Sequence, residues 1–467
     1  MSRRPRIVVV GAGISGLTAA YRLRDTCEVT VLESSNRIGG HIRTEEHGGL
    51  LLEWGPDSLV AHKPAGERLC RELGLGDRLL RLRSGGSRMQ VMFDDGLHQV
   101  PEGFLMISPT RLMPLLTTPM LSLGGKLRAG LERFIPARRE DADETLQSFV
   151  TRRWGRQLYE RVAEPVLGGL FSGNARRLSA RACIPRMCGM EREHGSIAAG
   201  LSKMKSAHGA AQRPQAGVYG LAGGMGTLIQ ALAEPLPQDA LRLRTPVRAL
   251  EPTTVGWRVV LDDGETIDSD GVVLACPAYV ASRLLAKADP GLADQLNAVE
   301  FATCVTVNLL YDVSAVGKEL QGFGFFVARS AGSPLLACNY TSSKFEGRAP
   351  RGCVMLRAFL GGAGRESLDH VEDGQLVHIA HEALAPLLDL RGAPRFGRAR
   401  RVVDALPQPV VGIETIRERL AEGLPNLALC GSACGLVGLP DCIDSADKAV
   451  RQLTTCIARS EGAERAG

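Results

Sequence analysis

Four apolar residues, Ile7 to Val10, run directly into Gly11-Ala12-Gly13-Ile14-Ser15-Gly16, and a helical pattern follows to about Arg24. The apolar run reads as a buried parallel strand. Each glycine then has a task. Gly11 permits a tight turn, Gly13 lets the backbone approach a pyrophosphate, and Gly16 lets the helix pack closely on the strand. The helix N-terminus offers free N–H groups and a positive dipole end to phosphate. Residues 29–32 (VTVL) read as the next strand, which makes a βαβ start. Glu33 follows, 22 residues after Gly11. A carboxylate there accepts ribose hydroxyls and repels a 2′-phosphate, which disfavours NADP. The segment therefore predicts a dinucleotide cleft.

Arg37, Gly39 and Gly40 form an R-x-G-G cluster shortly after that strand, and EWGPDS brings Glu53, Gly55 and Pro56. A guanidinium and two close-approach glycines suit a second grip on a pyrophosphate. Two later stretches complete the pattern: GLAGGMGTLIQAL through TPVRAL to VVLACP, and NLALCGSACGLVGLPDCI near the C-terminus. Together these resemble the FAD-binding pattern of the flavin amine oxidase superfamily. The resemblance implies FAD, with contacts at Gly11, Ala12, Gly13, Ile14, Ser15, Gly16, Glu33, Ser34, Arg37, Gly39, Gly40 and His41. It extends them to Gly55, Pro56, Asp57 and Ser58, to Val247 on the adenine side and to Gly431 near the pyrophosphate. Val437, Gly438 and Leu439 would open the final helix toward the isoalloxazine.

A chain of 467 residues predicts two or three domains. The expected fold is α/β. A Rossmann-type FAD-binding domain is assembled from residues 1–80, 215–285 and 415–467. Residues 100–205, rich in Leu, Met and Arg, form a mostly helical domain facing substrate or membrane. Residues 81–99 and 286–414 form a mixed-sheet substrate domain. Asp441 is expected to cap the final helix, and residues 460–467 to fray. A net charge of +5 and an aromatic content of 4% argue against nucleic-acid binding. The twelve cysteines lack zinc-site spacing, so reduced buried thiols in a cytoplasmic protein are expected, with no metal. Pro109, Pro114 and Pro119 interrupt the most apolar stretch, residues 103–125, so it does not read as a membrane span.

The segment EPVLGGLFSGNARRLSARACIPRMCGMEREHGSIAAGL, Glu164 to Leu201, resembles the porphyrinogen oxidases. With GPDS at 55–58, GFGFFV at 322–327 and GLPDCID at 438–444, the resemblance spans essentially the whole chain. The stretches from Pro109 and from Ala337 look most like the bacterial coproporphyrinogen-oxidising branch. The implied reaction removes six hydrogens from a porphyrinogen in three two-electron steps. Hydride passes to the flavin, and O2 is reduced to hydrogen peroxide. Such chemistry needs an apolar slot and a few cations for the propionates, with no catalytic triad. Candidate slot residues are Gly168, Leu170, Phe171 and Phe325; candidate anchors are Lys63, Arg88, Arg177 and Arg192.

Several positions depart from the family pattern. His41 stands for Lys, Asn174 for Asp, Val402 for a Trp expected against the flavin, and Pro409 and Ile413 for Tyr and His. These departures leave open a diverged paralogue with weak or no turnover, and the shared superfamily features leave open a flavin amine oxidase or a carotenoid desaturase. Apolar residues Phe104, Leu105, Met106, Ile107, Leu112, Met113, Leu115 and Leu116, flanked by Arg128, Arg133, Arg138 and Arg139, suggest peripheral contact with a membrane surface. A homodimer is also left open.

Overall fold

The computed structural model describes residues 3–83, 89–94, 96–101, 104–105, 107–109, 112–140, 142–208, 217–364, 368 and 370–466. The first sheet is parallel and starts with β1 (Arg6–Val10), which leads through α1 (Ile14–Leu23) to β2 (Glu28–Leu32). Its strand order is Leu241–Arg242, β2, β1, Gly271–Leu274, Leu427–Leu429. Chain segments far apart in sequence thus share one sheet. The C-terminal helix, Leu439–Ala466, packs on α1 through Ile443, Ala446 and Ala449 against Leu17, Ala20 and their neighbours. Arg22 Nε donates to Asp447 Oδ1 at 2.8 Å across that contact. This helix begins two residues before Asp441, so Asp441 lies in its first turn and is not its cap. The helix also runs through residues 460–466, where the sequence suggests fraying.

The segment from Leu112 to His208 is helical and includes α2 (Glu164–Phe171). Its core holds Phe149, Trp154, Leu158, Val166 and Leu167, with the guanidinium of Arg153 fully buried among them. Arg153 pairs with Glu132, whose carboxylate also accepts the Ile197 and Ala198 N–H groups at 3.0 Å. One buried carboxylate thereby satisfies a cation and a helix N-terminus. Among the described residues no helix is long and apolar enough to cross a membrane.

The second sheet contains β3 (Phe301–Asp312), β4 (Gly324–Val327), β5 (Leu335–Tyr340), β6 (Cys353–Gly361) and β7 (Phe396–Pro407). Its order is β7–β3–β6–β5–β4, followed by Gln90–Phe93 and Gly96–Gln99. Only the pairing of β4 with Gln90–Phe93 is parallel, so the sheet is mixed. Helix α3 (Asp373–Leu388) covers one face through Leu376, Ala380, Leu384 and Leu387. The other face packs on residues 50–55, through Leu310 and Met355 against Leu50, Leu52 and Trp54 and through Asn308 and Arg357 to the Glu53 and Gly55 carbonyls, and the register decides what it presents.

Candidate active site

The turn after β1 has the geometry that its glycines suggest. Gly11 has φ +103°, and a Cβ there would stand 2.9 Å from the Ala275 carbonyl oxygen. A Cβ on Gly16 would overlap the Gly11 carbonyl. A Cβ on Gly13 would meet nothing within 4 Å. Gly13 therefore faces open space at the start of α1, whose N-terminus has no side-chain cap and no acidic residue in its first turn. These N–H groups suit an anionic pyrophosphate. Ala12 and Ile14 are buried behind them, and Ser15 Oγ donates to the Cys442 carbonyl. A Cβ on Gly431 would overlap Ser15, which brings the C-terminal loop against the same turn.

Glu33 closes the other end of the cleft. Its carboxylate accepts the Ala12 N–H at 2.8 Å and the Ser35 N–H at 2.9 Å, which fixes it beside the turn. Ser34 is exposed next to it. Thr245 donates its N–H to the Glu33 carbonyl at 2.9 Å, so the strand starting at Val247 begins at this end too. Arg37 donates to the carbonyls of Ile38, Gly40 and Ile42, and its charge stabilises the R-x-G-G loop. Gly39 N–H donates to the Ala12 carbonyl at 2.7 Å. A Cβ on Gly40 would lie 3.2 Å from the Gly13 Cα. The loop is therefore held against the phosphate turn. Val437 and Gly438 lead into the C-terminal helix at Leu439, one helix start away from Ser15.

His41 is open to solvent yet crowded by protein, as a group on a concave wall is. Burial, then Arg400 and Arg37, hold its imidazole below the usual range, which favours the neutral form. A Cβ on Gly55 would overlap the His41 carbonyl, so the EWGPDS loop backs this wall. Pro56 is half-buried in the same loop. The side chains of Asp57 and Ser58 go elsewhere. Lys344 Nζ donates to Asp57 Oδ1 at 2.8 Å and to Ser58 Oγ at 3.1 Å. Arg357 donates to the Gly55 carbonyl and lies 3.7 Å from Asp57. Burial alone would raise the Asp57 pKa, but Lys344 and Arg357 outweigh it and hold the carboxyl well below the usual range. Glu53 behaves differently. Burial pushes its pKa up against the Met225 N–H, Thr44 and Arg348. The side chains of Asp57 and Ser58 are thus engaged with Lys344 and Arg357, which leaves the backbone of this loop as the part that would meet the cofactor. Lys344, Arg348 and Arg357 are absent from the sequence-derived site; only their long-range pairing marks them.

The cleft-facing side of the second sheet follows from register. Phe326, Ala337, Phe359, Thr306 and Arg400 stand opposite one another in a single row across β4, β5, β6, β3 and β7. Directly opposed residues share a face. Along β7, Arg398, Arg400 and Val402 share this face by period two. Ala399 lies on the α3 side, and Arg401 donates to the Leu368 carbonyl there. Cys304 pairs with both Val402 and Gly361 in the next row. Helix α2 covers one end of the floor, because a Cβ on Gly169 would overlap the Phe326 ring. The row from Phe326 to Phe359 is apolar, whereas the next row on the same face, Arg398, Asn308, Arg357 and Asn339, is polar, and the Arg357 guanidinium lies 4.7 Å over the Phe359 ring.

Sequence-derived substrate residues divide on this frame. Gly168 is buried in α2, Leu170 is 49% exposed, and Phe171 is half-buried. The Phe171 carbonyl accepts Gln408 Nε2 at 3.0 Å. Phe325 is corrected: it is 1% exposed and packs near Tyr340 in the core beneath α3. Strand alternation gives the cleft face to Phe326. Lys63 is paired with Asp441 at 2.6 Å, and Arg177 with Glu300. Arg192 is exposed on the helix Pro185–His194, and Arg88 lies outside the described residues. Two departures have local compensation. Asn174 Oδ1 accepts the Arg176 N–H at 3.1 Å, as Asp would, and buried Ile413 packs against Gly435.

A dinucleotide-type parallel sheet built from segments far apart in the chain, together with a mixed sheet, defines the class of nucleotide-dependent oxidoreductases. The sequence matches the flavin containing amine oxidoreductase family over residues 14–454, and the chain belongs to that family. A flavin held in a dinucleotide cleft is FAD, and the residues described above fit it. The chain is 31% identical to coproporphyrinogen III oxidase of Bacillus subtilis, covering 97% of this chain and 98% of that one. It is also 31% identical to human protoporphyrinogen oxidase, over 95% and 97% of the two chains. A crystal structure from Exiguobacterium sp. 255-15, assigned as a protoporphyrinogen oxidase, superposes with a TM-score of 0.83 at 30% identity, covering 97% of this chain and 100% of that one. Within the family the chain stands in the porphyrinogen oxidase branch.

Proposed function

We propose that this enzyme oxidises a porphyrinogen to the porphyrin in haem biosynthesis, with coproporphyrinogen III preferred and protoporphyrinogen IX next. The observation that carries this reading is the row formed by Phe326, Ala337, Phe359 and Thr306 on the sheet face away from α3, with α2 packed against the Phe326 ring. A flat macrocycle with apolar faces suits such a floor better than a small amine does. FAD, when bound, supplies the hydride acceptor, and each of three two-electron oxidations is balanced by one O2 reduced to H2O2. The chain's own residues orient the macrocycle and exclude water, and they hold cations where carboxylates enter. Arg177 and Lys63 are candidates for that last role once their carboxylate partners yield.

Anaerobic mixing of the FAD-loaded protein with coproporphyrinogen III, protoporphyrinogen IX and a panel of amines tests the reading. Bleaching of the visible flavin band by a porphyrinogen is expected. Bleaching by an amine and by neither porphyrinogen would sink it. We also infer a cytoplasmic protein that rests on an anionic membrane. Met113, Leu116, Leu123, Leu127, Leu131 and Phe134 are all exposed, with Arg133 at their edge. Ile107 and Leu115, expected in this patch, are buried instead, and Met106 lies outside the described residues. Co-sedimentation with anionic liposomes that weakens with salt is expected; no binding at low salt would reject it.

A further inference from the structure

The cation at the β7 edge of the floor is unusual for where it stands. Arg400 lies directly opposite Thr306 on the cleft-facing side, between Arg398 and Val402. Its Nη1 is buried and has no hydrogen-bond partner among the described residues. Burial, then Arg43 and Arg37, press its pKa downward, and Glu45 is the one carboxylate that opposes them. That carboxylate is already shared. Glu45 pairs with Arg398, accepts Trp54 Nε1–H at 3.1 Å and lies 3.5 Å from Arg43. A half-buried guanidinium whose inner Nη1 has no partner is costly to hold there unless an anion meets it.

The frame of the cleft says which anion. Glu33 fixes the ribose end and Gly13 the pyrophosphate, so the flavin ring must lie beyond Gly40 and His41, against the sheet. Arg400 acts electrostatically on His41, at that end. An accepted hydride brings two electrons and one proton, which leaves one net negative charge on the ring system. We propose that Arg400 is the fixed counter-charge for the negative charge the flavin acquires on reduction. This rests on the flavin assignment and is independent of the substrate.

The test uses the FAD-loaded enzyme without substrate. Arg400→Gln and Arg400→Lys are compared with the parent for flavin midpoint potential and for affinity toward sulfite, which binds oxidised flavin as an anionic adduct. Arg400→Gln should lower the potential and weaken sulfite binding roughly ten-fold or more, while Arg400→Lys should stay close to the parent. If Arg400→Gln leaves the potential unchanged and the sulfite affinity within about two-fold and raises only the substrate KM, the anion is a substrate carboxylate and the proposal is overturned. Should Arg400→Gln lose FAD, Glu45→Gln gives a test of opposite sign. Removing the carboxylate that partly neutralises Arg400 should strengthen sulfite binding, and unchanged or weaker binding would overturn the proposal.

Discussion

Gly13 and Gly16 separate cofactor binding from folding within one turn of chain. Gly13 has φ −75° and ψ −177°, which any L-residue adopts, and a Cβ there touches no protein atom within 4 Å. Gly13→Ala loses a little as a helix cap but also restricts the unfolded chain. These effects oppose each other and leave apoprotein stability within about 0.5 kcal/mol of the parent. The added methyl does enter the space where the backbone must meet the pyrophosphate. Overpacking of this kind costs about 1–3 kcal/mol, which weakens FAD roughly 5- to 150-fold. Gly16→Ala is the contrast. Its Cβ would overlap the Gly11 carbonyl, a backbone atom that cannot swing away. The apoprotein itself should lose more than about 3 kcal/mol. Urea unfolding of both apoproteins, with FAD titrated by flavin fluorescence quenching, gives the two quantities separately. Parental FAD affinity in Gly13→Ala, or equal loss of apoprotein stability in the two variants, would refute the assigned roles of these glycines.

Five further outcomes are expected. Asp57→Ala leaves Lys344 and Arg357 buried without their carboxylate, and should cost about 3–5 kcal/mol in urea unfolding. The double variant Asp57→Leu/Lys344→Met should recover part of that. The pH dependence of this site follows from the lowered Asp57 pKa: its stabilisation is complete above the ordinary value of 3.8 and declines as pH falls below it. Acid unfolding of Asp57→Asn should therefore be less steep below that value, read by tryptophan fluorescence. Phe326→Ala should raise the porphyrinogen KM while FAD affinity holds. Phe325→Ala should instead cost about 3–5 kcal/mol of stability, since its ring is core.

Much of the cofactor half of this protein was legible in the chain itself. The run Ile7–Val10, the glycines after it and Glu33 each do a job that few other residue types can do, and all lie within one short segment. The fold class followed from that segment and from the later stretches, through VVLACP and residues 286–414, that read as sheet. The substrate half was harder to read for a physical reason. A strand has two faces, and local pattern does not say which one meets the cofactor. FGFFVA carries adjacent phenylalanines, and only packing under α3 made Phe325 core and Phe326 floor.

The sequence by itself determined the glycine turn and the acidic strand end beside it, because those constraints act over a few neighbouring residues. Tertiary structure alone decided the rest of the wall. Lys344 reaches Asp57 across 287 residues, and Arg357 reaches the Gly55 carbonyl across 302. Arg400 became a cation facing the flavin end only when β7 paired with β3 in one register. Such charges read as ordinary surface residues until folding removes water from around them.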